Sequence, residues 1–409
     1  MNYYKPTSAF QKAVKIAQIH WLCFFAKWKK PARAIAHRNT SVLMVVPGSE
    51  RVGGYERQAA QLASSVTARG LIAGVLTERT GGRPSRELRG GLVYFRVPGR
   101  LRPVKFLLFL SSLLFLFRRR RFFQVLHAHG VTGFSLLAVR VARMLGKPAI
   151  LKPATCGDVR DVVALAGFRG TVYRDWIRSA GSLVAISDEI REEMLACGIP
   201  PNQIVRIPNF VDTSLFVPPA PDRKQQLRSR LGAAENDLVF LYLGRLEERK
   251  GVEHLLRAWQ RMRQGRLWLA GGGPEEEKLK SLGRDLQLSN VSFHGATTNP
   301  LDFYQSADIL VFPSLREGVP NVLLEAMSCG LPCVATSIGG VTDLIRHGVD
   351  GYLAVPGDSG ALADAMQHAA DHPAERKLWG ESAAAKAREL FDISRITSRY
   401  LDLYSELLK

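Results

Sequence analysis

Past residue 40 the chain alternates short runs of β-branched and aliphatic residues with longer stretches of helical period, which restricts it to parallel sheets joined by crossover helices. The runs at 41–46 (SVLMVV), 74–77, 92–97, 124–127, 149–152, 182–186 and 204–207 predict the strands of one doubly wound unit. The helix after the first strand is predicted at 55–69, closed by Gly70. Segment 212–221, DTSLFVPPAP, then places three prolines where regular structure is disfavoured, and it reads as a connection. The pattern restarts with strands at 238–243, 266–270, 291–294, 309–312 and 332–335, and helices at 251–263 and 321–328. The predicted fold class is α/β, with two Rossmann-like units at 41–212 and 213–393. An amphipathic helix at 394–408 must dock, with the first unit as its expected seat. At 409 residues, 46% of them hydrophobic and 23% charged, the chain can bury two cores, and disorder or a collagen-like fold is excluded.

Charge divides the chain unevenly. The net charge is +19, yet residues 1–217 hold 33 basic and 12 acidic side chains while 218–409 hold 23 and 25. No acidic residue occurs between Glu87 and Asp158, a stretch with 13 Lys or Arg that includes Arg118, Arg119, Arg120 and Arg121. Such a field suits phosphate-rich partners, either anionic lipid headgroups or nucleic acid. With no zinc-finger spacing or RNA-binding signature, the anionic membrane surface is the preferred partner and nucleic acid is disfavoured. Two apolar segments bear on this. Residues 104–117 (VKFLLFLSSLLFLF) are too short for a span and read as a packed helix with an interfacial option. Within the basic segment 1–40, residues 14–28 mix Trp21, Phe24, Phe25 and Trp28 with Lys15 and Lys27, the composition of a helix lying in a bilayer surface. An ordinary docked helix or an unstructured tail accounts for them equally well. The five scattered cysteines do not form a secreted disulfide framework, so a reducing, cytoplasmic location is expected. Cys329 and Cys333 lack metal or redox spacing and read as small buried thiols; no metal is assigned.

Three motifs carry chemistry. In PGSERVGGYERQ, Gly53 and Gly54 precede a helix and let backbone N–H groups approach an anionic or hydroxylated ligand, although tight packing alone also uses such pairs. In LYLGRLEERKGVEHLL, Arg245 and Lys250 follow a strand with Gly251 at the helix start, which makes a plausible diphosphate cradle. In FPSLREGVPNVLLEAMSCGLPCVAT, Glu317 sits at a strand's carboxyl edge, where open α/β sheets bind ligands, and Glu325 lies in the first turns of the next helix. The eight-residue spacing of the two glutamates carries little by itself; their surroundings give it weight.

Taken in order and at these separations, the motifs resemble the retaining glycosyltransferases of family 4 (glycosyl transferases group 1), which have the GT-B fold of two Rossmann-like domains facing each other across a cleft. HAHG at 127–130, ISDEIREEM at 186–194, IPNFVDTSLF at 207–216 and FHG followed by YQSADILVFPS extend the resemblance over residues 41 to about 400. It implies a nucleotide-diphosphate sugar in the C-terminal domain and a glycan or glycolipid acceptor in the N-terminal domain. It also implies that Arg245 and Lys250 hold the diphosphate and stabilise the leaving group, and that Glu325 bonds the ribose. Glu317 would contact the donor sugar, and Gly318, Val319, Asn321 and Val322 would line the donor site, with backbone N–H groups offered from 318–321. His129 would lie near the transferred sugar, making Glu317, His129, Arg245 and Lys250 the catalytic set, while Gly53 and Gly54 would lie near diphosphate or acceptor. The nucleotide sugar is a substrate, and no cofactor or metal is expected, since the chain has no Asp-x-Asp pair. The sequence departs from the family at ILKPATCGDVRD, where the family often has a histidine–glycine pair, so Lys152, Thr155 and Asp158 become candidates for acceptor or diphosphate contacts. His294, a lone histidine at a strand end, is read as structural or base-stacking.

The expected function is sugar transfer to a lipid-linked or polysaccharide acceptor at the inner face of the cytoplasmic membrane. The alternatives are a sugar-nucleotide epimerase of the same fold and a non-catalytic nucleotide-sugar scaffold. A nicotinamide dehydrogenase fits poorly, because the first strand-to-helix turn lacks Gly-x-Gly-x-x-Gly.

Overall fold

The computed structural model describes residues 41–48, 53–79, 84–98, 105–165 and 167–409. The basic segment 1–40, with its amphipathic stretch 14–28 and Cys23, lies outside the described residues. The aliphatic runs form strands because each can bury side chains on both faces of a sheet covered by helices. In the first unit these are β1 (Ser41–Val46), β2 (Ile72–Arg79), β3 (Arg86–Arg89), β4 (Leu92–Pro98), β5 (Val125–His129), β6 (Ala149–Lys152), β7 (Ser182–Ala185) and β8 (Ile204–Arg206). Their order is β3-β4-β2-β1-β5-β6-β7-β8, parallel throughout apart from the antiparallel β3–β4 pair.

That pair is a correction to the sequence reading, which has no strand at 86–89. RELR is exposed and carries no apolar alternation, so its strand is held by pairing with β4 alone. The turn between them contains Gly90 and Gly91 at φ 55° and 77°, left-handed conformations that glycine adopts without a Cβ clash. The segment 105–118 is a helix, Lys105–Arg118, and among the described residues no helix is long and apolar enough to cross a membrane.

The second unit contains β9 (Val239–Leu243), β10 (Arg266–Ala270), β11 (Val291–Gly295), β12 (Ile309–Phe312), β13 (Cys333–Thr336) and β14 (Tyr352–Ala354). All pairs are parallel, in the order β11-β10-β9-β12-β13-β14. Three-residue β14, absent from the sequence reading, is too short to show a period. Cys329 and Cys333 are buried thiols, and burial pushes both upward in pKa. Each sheet reverses its winding once, between β1 and β5 and between β9 and β12, and leaves a crevice at the carboxyl ends of those strands.

The chain passes between the units near residues 211 and 391, and the two passages bond to each other: Val211 N–H donates to Phe391 O at 2.9 Å and Ile393 N–H to Val211 O at 2.9 Å. Asp392 then caps the last helix by accepting from Ser394 N–H at 2.8 Å. This helix, Ile393–Leu407, lies on the first unit, where Thr397 bonds Ser65 at 2.8 Å and the Tyr404 hydroxyl meets His127 Nδ1 at 2.9 Å.

Because Tyr404 and His127 are both fully buried, Tyr404→Phe leaves the imidazole nitrogen without a partner. It should lower stability by about 1–3 kcal/mol, read as a fall in the urea midpoint with the m-value unchanged.

Candidate functional site

Both crevices carry the residues singled out by sequence, and they face each other. On the first unit, Gly53 caps the helix Gly54–Ala68, whose start leaves free backbone N–H groups. The Glu56 carboxylate folds back over Gly53, so an added Cβ there would lie 2.1 Å from Glu56 Oε2. Gly54 marks contact with the opposite unit: its carbonyl accepts from Asn321 Nδ2 at 2.9 Å, and an added Cβ would sit 3.2 Å from that nitrogen.

The ends of β5 and β6 bring His129 and Lys152 side by side in register. His129 is buried and stacked on His127 at 4.4 Å between ring centres, and burial drives both rings well below the ordinary imidazole range, helped by the nearby Lys152 charge. Lys152 is itself buried, which lowers its ammonium from 10.5 to about 7. Asp158 is turned into its own loop, where it accepts from Ala154 N–H at 2.8 Å, Thr155 N–H at 3.0 Å and the Thr155 hydroxyl at 2.8 Å. Its carboxylate is thus engaged in holding the 154–158 turn. Glu193, inside the ISDEIREEM motif, ties down the same loop by accepting from Val159 N–H at 3.0 Å and Arg160 N–H at 2.8 Å.

On the second unit the turn after β9 presents three cations. Arg245 pairs with Glu247 at 2.8 Å, and Arg249 spans Glu247 at 3.1 Å and Glu317 at 3.0 Å. Lys250 pairs with the same Glu317 oxygen. Gly251 follows at φ 66° with its Cα beneath Pro313, and an added Cβ would meet Pro313 O at 2.1 Å; this joins the cationic turn to the Glu317 loop. Glu317, 9% exposed, is therefore shared between two cations at the reversal of its sheet. Phosphate oxygens can compete for such cations, because guanidinium and ammonium groups bind them with charge-assisted bonds of the same kind.

Glu325 projects from the helix Asn321–Ser328 and is 5% exposed. Arg57 of the first unit donates to its Oε1 at 2.9 Å and the Tyr304 hydroxyl to its Oε2 at 2.8 Å. Burial raises this carboxyl, and Arg57 and Tyr304 oppose the shift. Gly318 lies directly over the first unit, where an added Cβ would come 2.3 Å from Ala154 O. Val319 is buried, with its carbonyl accepting from Asn209 Nδ2 at 2.9 Å, and Val322 is half-buried against the core. His294 stands among aromatic rings, 5.2 Å from Trp268 and 5.3 Å from Phe303, away from any acid partner.

Among the site residues not singled out from sequence are Arg57, Asn209, Arg249 and Tyr304. Each stands within a motif that was, namely GGYERQ, IPNF, LEERKG and YQSAD. The signal was present, but which member of a motif reaches across the cleft depends on how the units face.

Residues 52–215 match the family described as Glycosyltransferase Family 4, and residues 237–372 match Glycosyl transferases group 1. The chain is 26% identical over 296 residues to the N-acetyl-alpha-D-glucosaminyl L-malate synthase of Bacillus anthracis, covering 71% of this chain and 77% of that protein. It is 33% identical over 178 residues to the lipopolysaccharide core biosynthesis glycosyltransferase LpsD of Rhizobium meliloti, covering 43% of this chain and 52% of that protein. Among solved structures, HepE of Anabaena, determined with UDP and glucose, superposes with a TM-score of 0.76 at 22% identity, over 90% of this chain and all of that one. The shared architecture is the GT-B fold.

A lysine whose pKa falls on folding destabilises the native state fully below its folded value, and the penalty fades as pH rises toward its unfolded value. For Lys152 that window runs from about 7 to 10.5, so the ligand-free protein should gain stability across it. Lys152→Met should flatten the rise, which urea denaturation at a series of pH values measures.

Proposed function

The chain belongs to the family 4, group 1 glycosyltransferases, and on that premise we propose that it moves a sugar, with retained anomeric configuration and without a metal, from a nucleotide-diphosphate sugar to a lipid-linked or polysaccharide acceptor. The observation that carries this reading is the Glu317 carboxylate, held by Lys250 and Arg249 at the reversal of the second sheet.

The diphosphate displaces these internal carboxylates from Arg245, Arg249 and Lys250. As the bond between the anomeric carbon and the diphosphate oxygen breaks, negative charge grows on the leaving phosphate. Cations already fixed at that spot stabilise the charge with little reorganisation. Glu317, released from its ion pairs, accepts from the donor sugar's hydroxyls, and Glu325 accepts from the ribose hydroxyls beside Tyr304. The backbone of Gly318 to Asn321 lines the donor, and from the first unit His129 faces the transferred sugar. An acceptor hydroxyl enters over Gly53 and Gly54, forms the new bond at the anomeric carbon as the bond to the diphosphate breaks, and gives its proton to the leaving phosphate oxygen.

The name of LpsD supports an acceptor of the lipopolysaccharide kind. The basic first unit supports action at the cytoplasmic membrane face: exposed Phe117 and Phe122 flank the Arg118–Arg121 run, and surface-near cations contribute about 1 kcal/mol each toward anionic lipid.

Glu317→Gln should lower transfer by about 100-fold or more while leaving nucleotide binding largely intact, and unchanged transfer would remove Glu317 from the mechanism. Thermal shifts with UDP, GDP and ADP in chelator should show one nucleoside diphosphate stabilising the wild type and none stabilising R245A/K250A. Cosedimentation with vesicles should favour those containing anionic lipid, and equal binding to neutral vesicles would sink the membrane assignment.

A further inference from the structure

Beneath the floor of the cleft lies a polar cluster of which the donor chemistry uses His129 alone. His127 and His129 point to one face of β5 because they are two residues apart, and Lys152 stands beside His129 on β6. Tyr400 of the last helix closes the cluster, 5.2 Å from the His127 ring, with Lys152 Nζ 5.8 Å from the Tyr400 ring centre. All four are nearly inaccessible, with exposures of 0% for His127, 1% for His129, 4% for Lys152 and 0% for Tyr400. The Tyr404 hydroxyl engages His127 Nδ1. His127 Nε2, His129 Nε2, Lys152 Nζ and Tyr400 Oη are buried without a hydrogen-bond partner.

A buried polar atom left unpaired costs about 1–3 kcal/mol, and native proteins rarely gather several in one place without something that satisfies them. The chemistry of the four atoms limits what that can be. An ammonium group only donates, a phenol can donate, and each imidazole Nε2 donates in the right tautomer or when protonated. Burial pushes Lys152 and both histidines toward their neutral forms, and among the described residues no carboxylate pairs with Lys152 Nζ to oppose this. The fitting occupant accepts several hydrogen bonds and carries negative charge.

Position tells which end of the cluster a ligand would reach. His129 and Lys152 are the last residues of their strands, at the carboxyl edge where the first sheet opens its crevice. Gly130 N–H donates to Lys152 O at 2.7 Å, which fixes the two strand ends together. Two residues past Lys152, Gly318 of the second unit packs on Ala154 O, so the donor loop borders this end of the cluster.

We propose that Lys152, His129, His127 and Tyr400 form an oxyanion subsite that takes a phosphate or carboxylate group on the acceptor side of the cleft. This deepens the transferase reading and rests on it for the word acceptor. The shared chemistry is the oxyanion, whose source is either an acidic group of the acceptor or a free ion such as inorganic phosphate.

The test uses the full chain with R245A/K250A, which removes two of the three cations of the donor cradle; the Lys152 and His129 variants then separate anion binding at the cluster from any left at Arg249. Calorimetric titration with inorganic phosphate, D-glucose 6-phosphate and D-glucose should show binding of the two anions and none of the neutral sugar. Adding Lys152→Gln should weaken anion binding by about tenfold or more, as loss of a charge-assisted contact requires, while Lys152→Arg retains it. His129→Gln gives an independent reading should Lys152→Gln fail to fold. Tighter binding of glucose 6-phosphate than of phosphate assigns the subsite to the acceptor, and equal binding assigns it to a free ion. Absence of anion binding in R245A/K250A, or binding indifferent to both Lys152→Gln and His129→Gln, overturns the proposal and leaves ordered water as the occupant. Nucleoside diphosphate binding by the wild type, measured in the same series, separates the two readings. Its absence with anion binding retained overturns the donor site and spares the subsite, and the reverse result does the opposite.

Discussion

The rest of the structure depends on one contact across the cleft, the ion pair between Arg57 and Glu325. A carboxylate that is 5% exposed cannot keep its charge cheaply without a partner, and here the cation comes from the opposite unit. Asn321 reinforces the contact by donating to Gly54 O, and Asn209 reaches from the first unit's last loop to Val319 O. Farther along the cleft, Arg206 and the backbone N–H of Asp188 both hold Asp343, at 2.6 and 2.9 Å. These bonds bring the two sheet reversals face to face.

Glycine makes the close approach feasible. Gly318 and Gly340 stack so tightly that a Cβ on Gly340 would lie 1.7 Å from Gly318 O, while Gly318 itself faces Ala154 O. Backbone packed on backbone between Gly318 and Ala154 removes a side chain that would hold the units apart. The paired passages at Val211 and Phe391 complete the arrangement, since the two crossings of the chain are bonded to each other.

The electrostatics follow the same division. In the second unit the cations are paired locally: Glu247 and Glu317 engage Arg245, Arg249 and Lys250, offsetting two of their three charges, so an incoming diphosphate exchanges one set of anionic oxygens for another. In the first unit the cluster at the ends of β5 and β6 has no such balance, and Lys152 lies buried with its pKa depressed to about 7. The two faces of one cleft are therefore prepared for different partners.

Much of this was legible in the chain itself. Strand runs such as SVLMVV and LVFLYL report their own burial, because a strand covered on both faces must be apolar throughout, and the proline-rich 212–221 segment marks where one sheet ends. Turn residues such as Gly251 and the Arg245–Lys250 pair were visible because a tight turn and a cationic cradle are local properties, set by neighbours in sequence. Strand β3 was not, since an exposed RELR is extended only by what pairs with it. Nor was the engagement of Glu325 by Arg57, or of His127 by Tyr404, a pair 277 positions apart. Local chain chemistry determined the elements, the two units and the candidate residues; the tertiary structure alone decided which of those residues meet, because partner, burial and charge state depend on groups the sequence keeps far apart.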